Sequence, residues 1–144
     1  MPCARLAQAA ALVGGLLLLA GSASAGDVFV VFKTPSGNIG CAFSWFEGES
    51  PHLRCDIRSG LVPRPPKPRG CDLDWGYGYE MGATGRAHTF CAGDSALDPR
   101  ARVLAYGSRW SRGGFTCVSR TTGLTCLNHS RHGFILSRTH SRAL

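Results

Sequence analysis

Apolar and polar positions alternate along most of this chain in short runs, which is the pattern of half-buried strands. "VFVVF" (Val28 to Phe32) predicts a buried strand. "TPSGN", with Pro35 and Gly37, predicts a turn, and "IGCAFSW" and "HLRCDI" two further strands, together a three-stranded meander. The four prolines of "LVPRPPKPRG" forbid a central strand and predict an extended, polyproline-like connector. "CDLDWGYGYEMGATG" is punctuated by glycine and gives no clear element. "AHTFCAG" predicts a strand, and "DSALDPRA" a turn or a single helical turn capped by Asp94 or Ser95. A second strand cluster follows: "RVLAYG", "FTCVS", "LTCLN" and "FILSR". No stretch keeps a helical period long enough to predict a helix. The expected fold is all-β, with disulfide-pinned antiparallel hairpins and meanders forming a small sandwich or barrel. "FKTPSGNIGC" and "CVSRTTGLTC" share a faint pattern, but their glycine-to-cysteine spacing differs by one residue, a slip that reverses the strand face, so no duplication is inferred.

The cysteines sharpen this picture. Cys3 lies at the N-terminus, upstream of the apolar stretch, and six others follow: Cys41, Cys55, Cys71, Cys91, Cys117 and Cys126. An even count in an exported chain implies a disulfide framework, although six cysteines allow 15 complete pairings. Strand geometry ranks them. If Cys117 faces Cys126, the same register pairs Ser119 with Leu124 and leaves "RTTG", Arg120 to Gly123, as a four-residue loop. If Cys41 faces Cys55, Phe43 falls opposite Leu53, with "EGE" as the loop. Both registers place cysteines and large apolar side chains on one face. By elimination, Cys71 joins Cys91.

The N-terminus reads as an export signal. Arg5 supplies a positive start, "LVGGLLLLA" an apolar stretch too short to span a bilayer comfortably, and Ala23 and Ala25 the small residues before a cleavage site. A signal peptide over residues 1–25 and a single secreted domain over 26–144 are expected, monomeric and without a transmembrane segment. Ser22 stands where a lipid anchor would need cysteine. The leader contains Arg5 and no acidic residue, so its removal lowers the formal charge from +7 to +6. That balance favours anionic partners, although net charge alone speaks only to solubility and non-specific association. The arginines are scattered from Arg54 to Arg142 and form no single run.

"TPSGNIGC", "CDLDWG", "CAGD", the "YG" before Trp110, and "GLTCLN" followed by "HGFILSR" occur in that order over nearly the whole mature chain. In these blocks the chain resembles a family of small secreted or envelope-associated actinobacterial proteins of unknown function. The resemblance implies an extracytoplasmic module and brings no catalytic residues with it. The tail "THSRAL" is more polar than such a domain leads one to expect.

Candidate chemistry is sparse. Cys126, His129 and His132 have metal-ligand residue types at even spacing, but a zinc site needs a thiolate, and Cys126 is most simply consumed by Cys117. Both histidines are then turn residues in "HSRH". "NHS" spells a glycosylation acceptor, which matters only in a host with that machinery. Trp75, Tyr77 and Tyr79 alternate, so in an extended segment their rings line one face. With Trp110 they are the candidate stacking residues for sugars or bases, unless they pack as core over the Cys71 disulfide. Glu80, Arg86 and His88 form a base, phosphate clamp and acid for a small ribonuclease-like hydrolase, without a matching template. Asp72, Asp74, Asp94 and Asp98 lack calcium-loop spacing and read as turn and cap residues. "PRPPKPR" reads as a solvated connector before a docking loop. No GxSxG, HExxH, phosphate-binding glycine loop or cofactor fingerprint occurs. The leading expectation is therefore a secreted, non-catalytic binding module with no cofactor, its partner an anionic or glycan polymer of the cell envelope. The hydrolase is the rival.

Overall fold

The computed structural model describes residues 26–144, and the leader reading falls outside them. The described residues form twelve strands and no helix: β1 (Val28–Lys33), β2 (Ile39–Trp45), β3 (His52–Ile57), β4 (Asp74–Trp75), β5 (Gly78–Gly82), β6 (Cys91–Ala92), β7 (Arg102–Val103), β8 (Arg109–Arg112), β9 (Phe115–Arg120), β10 (Gly123–Leu127), β11 (Gly133–Leu136) and β12 (Arg142–Ala143). One five-stranded sheet has the order β5-β3-β2-β1-β7, the other β12-β11-β10-β9-β8, and β4 pairs with β6 as a small ribbon. All pairings are antiparallel except β1 with β7. The fold is an all-β sandwich, as the alternating pattern predicts.

Alternation explains the packing. Cys41, Phe43, Leu53 and Cys55 turn inward from the first sheet, and Phe115, Cys117, Leu124, Cys126 and Phe134 from the second. Phe43 meets Phe115 at 5.9 Å and Tyr79 stacks on Phe134 at 5.7 Å, so aromatic pairs bridge the layers. The disulfides are Cys41–Cys55, Cys71–Cys91 and Cys117–Cys126. Cys41 is opposite Cys55 and Phe43 opposite Leu53; Cys117 is opposite Cys126 and Ser119 opposite Leu124. These are the registers expected from the sequence. The sulfurs of Cys41, Cys55 and Cys126 lie within 4.8 Å of one another, so the two cross-strand bridges abut at the centre of the core.

Several local expectations are corrected. Arg120 pairs with Gly123, which reduces the "RTTG" loop to Thr121 and Thr122. Of "AHTFCAG" only Cys91 and Ala92 form a strand, with one further bridge from His88 to Glu80; the short partner β4 gives the rest nothing to pair with. "RVLAYG" leaves the second cluster and contributes Arg102 and Val103 to the first sheet, parallel to β1. "DSALDPRA" forms turns and no helix, because Asp94 is drawn to Arg54 and Ser95 caps only Leu97 N at 3.1 Å. The sequence pattern did not predict β8, which closes on β9 through Gly113 and Gly114, both at positive φ. A Cβ on Gly113 would lie 2.7 Å from the Phe43 ring. Nor did it predict β12: the polar tail supplies a strand, with Arg142 opposite Ile135.

Candidate functional site

Three regions of the surface carry candidate chemistry. The first lies on the outer face of the first sheet. β3 sends Leu53, Cys55 and Ile57 inward, and alternation turns His52, Arg54 and Asp56 outward. Arg54 stands opposite Glu80, which bridges to His88 through backbone bonds of 2.9 and 3.0 Å. One row therefore carries Arg54, Glu80 and His88. The Glu80 carboxylate lies between two imidazoles, 3.4 Å from His52 Nε2 and 3.1 Å from His88 Nε2.

This row unites two of the three residues expected for a hydrolase. Arg86 is exposed and makes no side-chain hydrogen bond or ion pair among the described residues, and His52, absent from that trio, joins Glu80 instead. The guanidinium that is present is already committed. Arg54 donates to Asp56 at 3.1 and 2.9 Å and to Asp94 Oδ1 and the Asp94 carbonyl at 2.7 Å each, and it lies 4.3 Å over the Phe90 ring. Burial acts to lower the Arg54 pKa, but the bonds to both carboxylates outweigh it and hold the pKa above its ordinary value. Bonding to Arg54 lowers the pKa of Asp94. A phosphate would have to displace two carboxylates to reach Arg54, so the row binds itself more readily than an anion.

The second region shows how the aromatic residues divide. Gly76, at φ 78°, interrupts the extension that would have aligned Trp75, Tyr77 and Tyr79. Trp75 donates Nε1–H to the Pro65 carbonyl at 3.1 Å, and Tyr77 lies 4.5 Å beneath the Arg64 guanidinium. Both rings fasten the proline-rich connector to the domain. Tyr79 points inward onto Phe134, where burial raises its pKa. The three residues therefore do not make one platform.

Trp110 belongs to the third region. Its ring packs 4.8 Å from Phe32 and 5.6 Å from Phe43 and forms part of the wall of a groove of about 500 Å³ between β7, at one edge of the first sheet, and β8, at the facing edge of the second. Arg102, Arg109 and Arg112 also line it, all three exposed. No carboxylate contributes to the lining, and none of the three is in an ion pair among the described residues. The arginines look scattered because Arg102 reaches the groove from one sheet and Arg109 and Arg112 from the other. The only local signal was "SRWSR", with a cation on either side of Trp110.

The "HSRH" turn has its chemistry in Asn128. Its Oδ1 accepts from Ser130 N and His132 N at 3.1 Å each, and its Nδ2 donates to the carbonyls of Gly82 and Gly85 at 3.1 and 2.8 Å, which ties the second sheet to the end of β5. His129 is exposed and His132 half-buried, and the Cys126 sulfur, bonded to Cys117, supplies no thiolate. Replacing His129 and His132 together with serine is expected to change stability by no more than about 0.5 kcal/mol in chemical denaturation, with no response of the melting temperature to chelator. The four aspartates do not converge either: among the described residues the one group with metal-ligand proximity is the disulfide sulfurs of the core. Asp98 accepts from Arg100 N at 2.8 Å, a turn role.

None of the described residues forms a helix long and apolar enough to cross a membrane. Three disulfides fit an oxidising, extracytoplasmic compartment. No curated protein and no solved structure matches the chain. Over residues 11–144, however, it matches the sequence model of a family of unknown function, DUF6636, and it belongs to that family.

Proposed function

We propose that this protein is a secreted, non-catalytic module, released by cleavage after Ala25, that binds an anionic polymer of the cell envelope in the groove between its two sheet edges. The observation that carries this reading is the lining: Arg102, Arg109 and Arg112 around Trp110, with no carboxylate among them. A guanidinium donates in a planar fork that suits phosphate, sulfate and carboxylate groups. An open groove between edges accommodates a chain. The resemblance to envelope-associated proteins supports the same compartment.

The triple variant R102S/R109S/R112S is expected to bind dextran sulfate about 100-fold more weakly than wild type at about 50 mM salt, three lost contacts of about 1 kcal/mol each. K67S/R69S/R142S removes the same charge elsewhere and is expected to bind within about threefold of wild type. Equal losses in both variants, measured by calorimetric titration, would replace the groove with diffuse attraction.

The placement of Glu80 between His52 and His88 supports a second reading, acid–base hydrolysis. It is the weaker one, since Arg54 is neutralised and Arg86 stands apart. Turnover of RNA or an envelope glycan by wild type, lost in E80Q with folding intact, would reverse the order.

A further inference from the structure

Beside the groove lies a cleft of about 370 Å³, walled by the turn after β1, the Thr121–Thr122 turn between β9 and β10, and the segment after β11. Hydroxyl residues line it on two sides: Ser36, whose Oγ lies 3.3 Å from that of Thr34, a buried residue bonded to the Ile39 backbone, and the pair Ser137 Oγ and Thr139 Oγ1 at 3.3 Å. Arg120 and Arg138 add two guanidinium groups that are in no ion pair among the described residues, Tyr106 adds an exposed ring, and no carboxylate lines the cleft. The loop around Tyr106 is a shared wall, with Tyr106 lining the cleft and Leu104, Ala105 and Ser108 lining the arginine groove. A chain lying in the groove reaches the cleft by crossing that loop.

Hydroxyl side chains both donate and accept, so they pair with hydroxyls of a ligand in either sense, which a guanidinium alone cannot do. Sites built to hydrogen-bond a ligand hydroxyl discriminate strongly against analogues that lack it, because their polar groups are then left unpaired. An exposed tyrosine beside them offers a surface for a ring or a carbon backbone. Single-stranded nucleic acid fits less well: sequence-tolerant binding of that kind uses successive open aromatic faces, and Trp110 spends its ring on Phe32 and Phe43.

We propose that this cleft is the hydroxyl-recognising subsite of the binding surface, and that the polymer is a polyhydroxylated anion, a sugar or polyol chain bearing phosphate or carboxylate groups. The polymer part of this inference rests on the groove reading; the cleft's own affinity for a polyol anion does not.

Two measurements separate them. Glycerol phosphate, titrated into nitrogen-15-labelled protein, is expected to shift the amides of Thr121, Thr122, Ser137 and Thr139, and to do so equally in R102S/R109S/R112S. Absence of those shifts overturns the subsite. Persistence of the shifts in a triple variant that binds polymer as well as wild type overturns the groove alone. For the polymer, affinities for poly(glycerol phosphate) and inorganic polyphosphate of matched phosphate count are compared. In T121V/S137A/T139V the ratio is expected to fall about 10-fold in disfavour of the polyol chain, with polyphosphate binding unchanged, as the loss of one or two neutral hydrogen bonds dictates. An unchanged ratio, or tighter binding of single-stranded RNA than of poly(glycerol phosphate) by wild type, contradicts the proposal.

Discussion

Replacing Asp56 with alanine is expected to destabilise the domain by about 3 to 5 kcal/mol, the range for breaking a buried ion pair by removing one partner. The Asp56 side chain is 3% exposed and Arg54 17%. Asp56 accepts twice from Arg54 and once from Ala96 N, at 2.7 Å, so its loss takes two charge-assisted bonds from the guanidinium, leaving it only the exposed Asp94, and unpairs the buried Ala96 N–H that fixes the loop over the outer face of the first sheet. Asp94 binds the same guanidinium but is 83% exposed. Its replacement is expected to cost no more than about 1 kcal/mol, because solvent screens such a pair and water takes over readily. The pH dependence follows from the lowered Asp94 pKa. A depressed carboxyl contributes its stability above its unfolded value of about 4, and the contribution is lost as the pH falls through its folded value. Wild type and D94A are therefore expected to converge in stability toward acid. Urea denaturation of the oxidised protein checks both substitutions, and equal costs for D56A and D94A would mean that burial does not govern this network.

The second large effect concerns the disulfides, and it separates two physical causes. Cys71–Cys91 spans 20 residues and Cys117–Cys126 only 9. If constraint of the unfolded chain were the whole effect, losing the longer loop would cost more, by roughly 0.7 kcal/mol. The shorter bridge is fully buried, however, and abuts Cys41–Cys55, whereas Cys91 is exposed. Replacing both sulfurs of Cys117–Cys126 leaves a void between the sheets in addition to the entropic loss. C117A/C126A is expected to lose about 4 to 5 kcal/mol and C71A/C91A about 3 kcal/mol. The reverse order, measured by denaturant titration, would show that the packing of the central sulfurs contributes little.

The central hairpins were legible because cysteine and large apolar residues share a two-residue period there. Once Cys41 faces Cys55, Phe43 must face Leu53, and once Cys117 faces Cys126, Ser119 must face Leu124. β7, β8 and β12 were not legible in the same way. Arg102 and Val103 form a two-residue strand paired in parallel with a segment about 70 residues earlier, and so short an element has no alternation to read. β8 reads "RWSR", in which only Trp110 is even half-buried. The site depended on these same short edges. Arg102 meets Arg109 and Arg112 only because the chain crosses between sheets after β7, so the basic groove is a property of topology. Glu80 and His88 were visible together, while His52, on a different strand, was not. Asn128 could have been singled out as a polar residue ending an apolar strand before a turn, but nothing in the local sequence reveals the Gly82 and Gly85 carbonyls that it binds.

The central claim, that three groove arginines hold an anionic chain, is tested most directly by the salt dependence of binding. With affinity for dextran sulfate measured from about 50 to 200 mM salt, each contact to a flexible polyanion contributes about −0.7 to the slope of log affinity against log salt. R102S/R109S/R112S is expected to have a slope shallower than that of wild type by about 2, while K67S/R69S/R142S keeps the wild-type slope. Parallel slopes in wild type and R102S/R109S/R112S would contradict the account, for they would mean that the polymer never meets the groove.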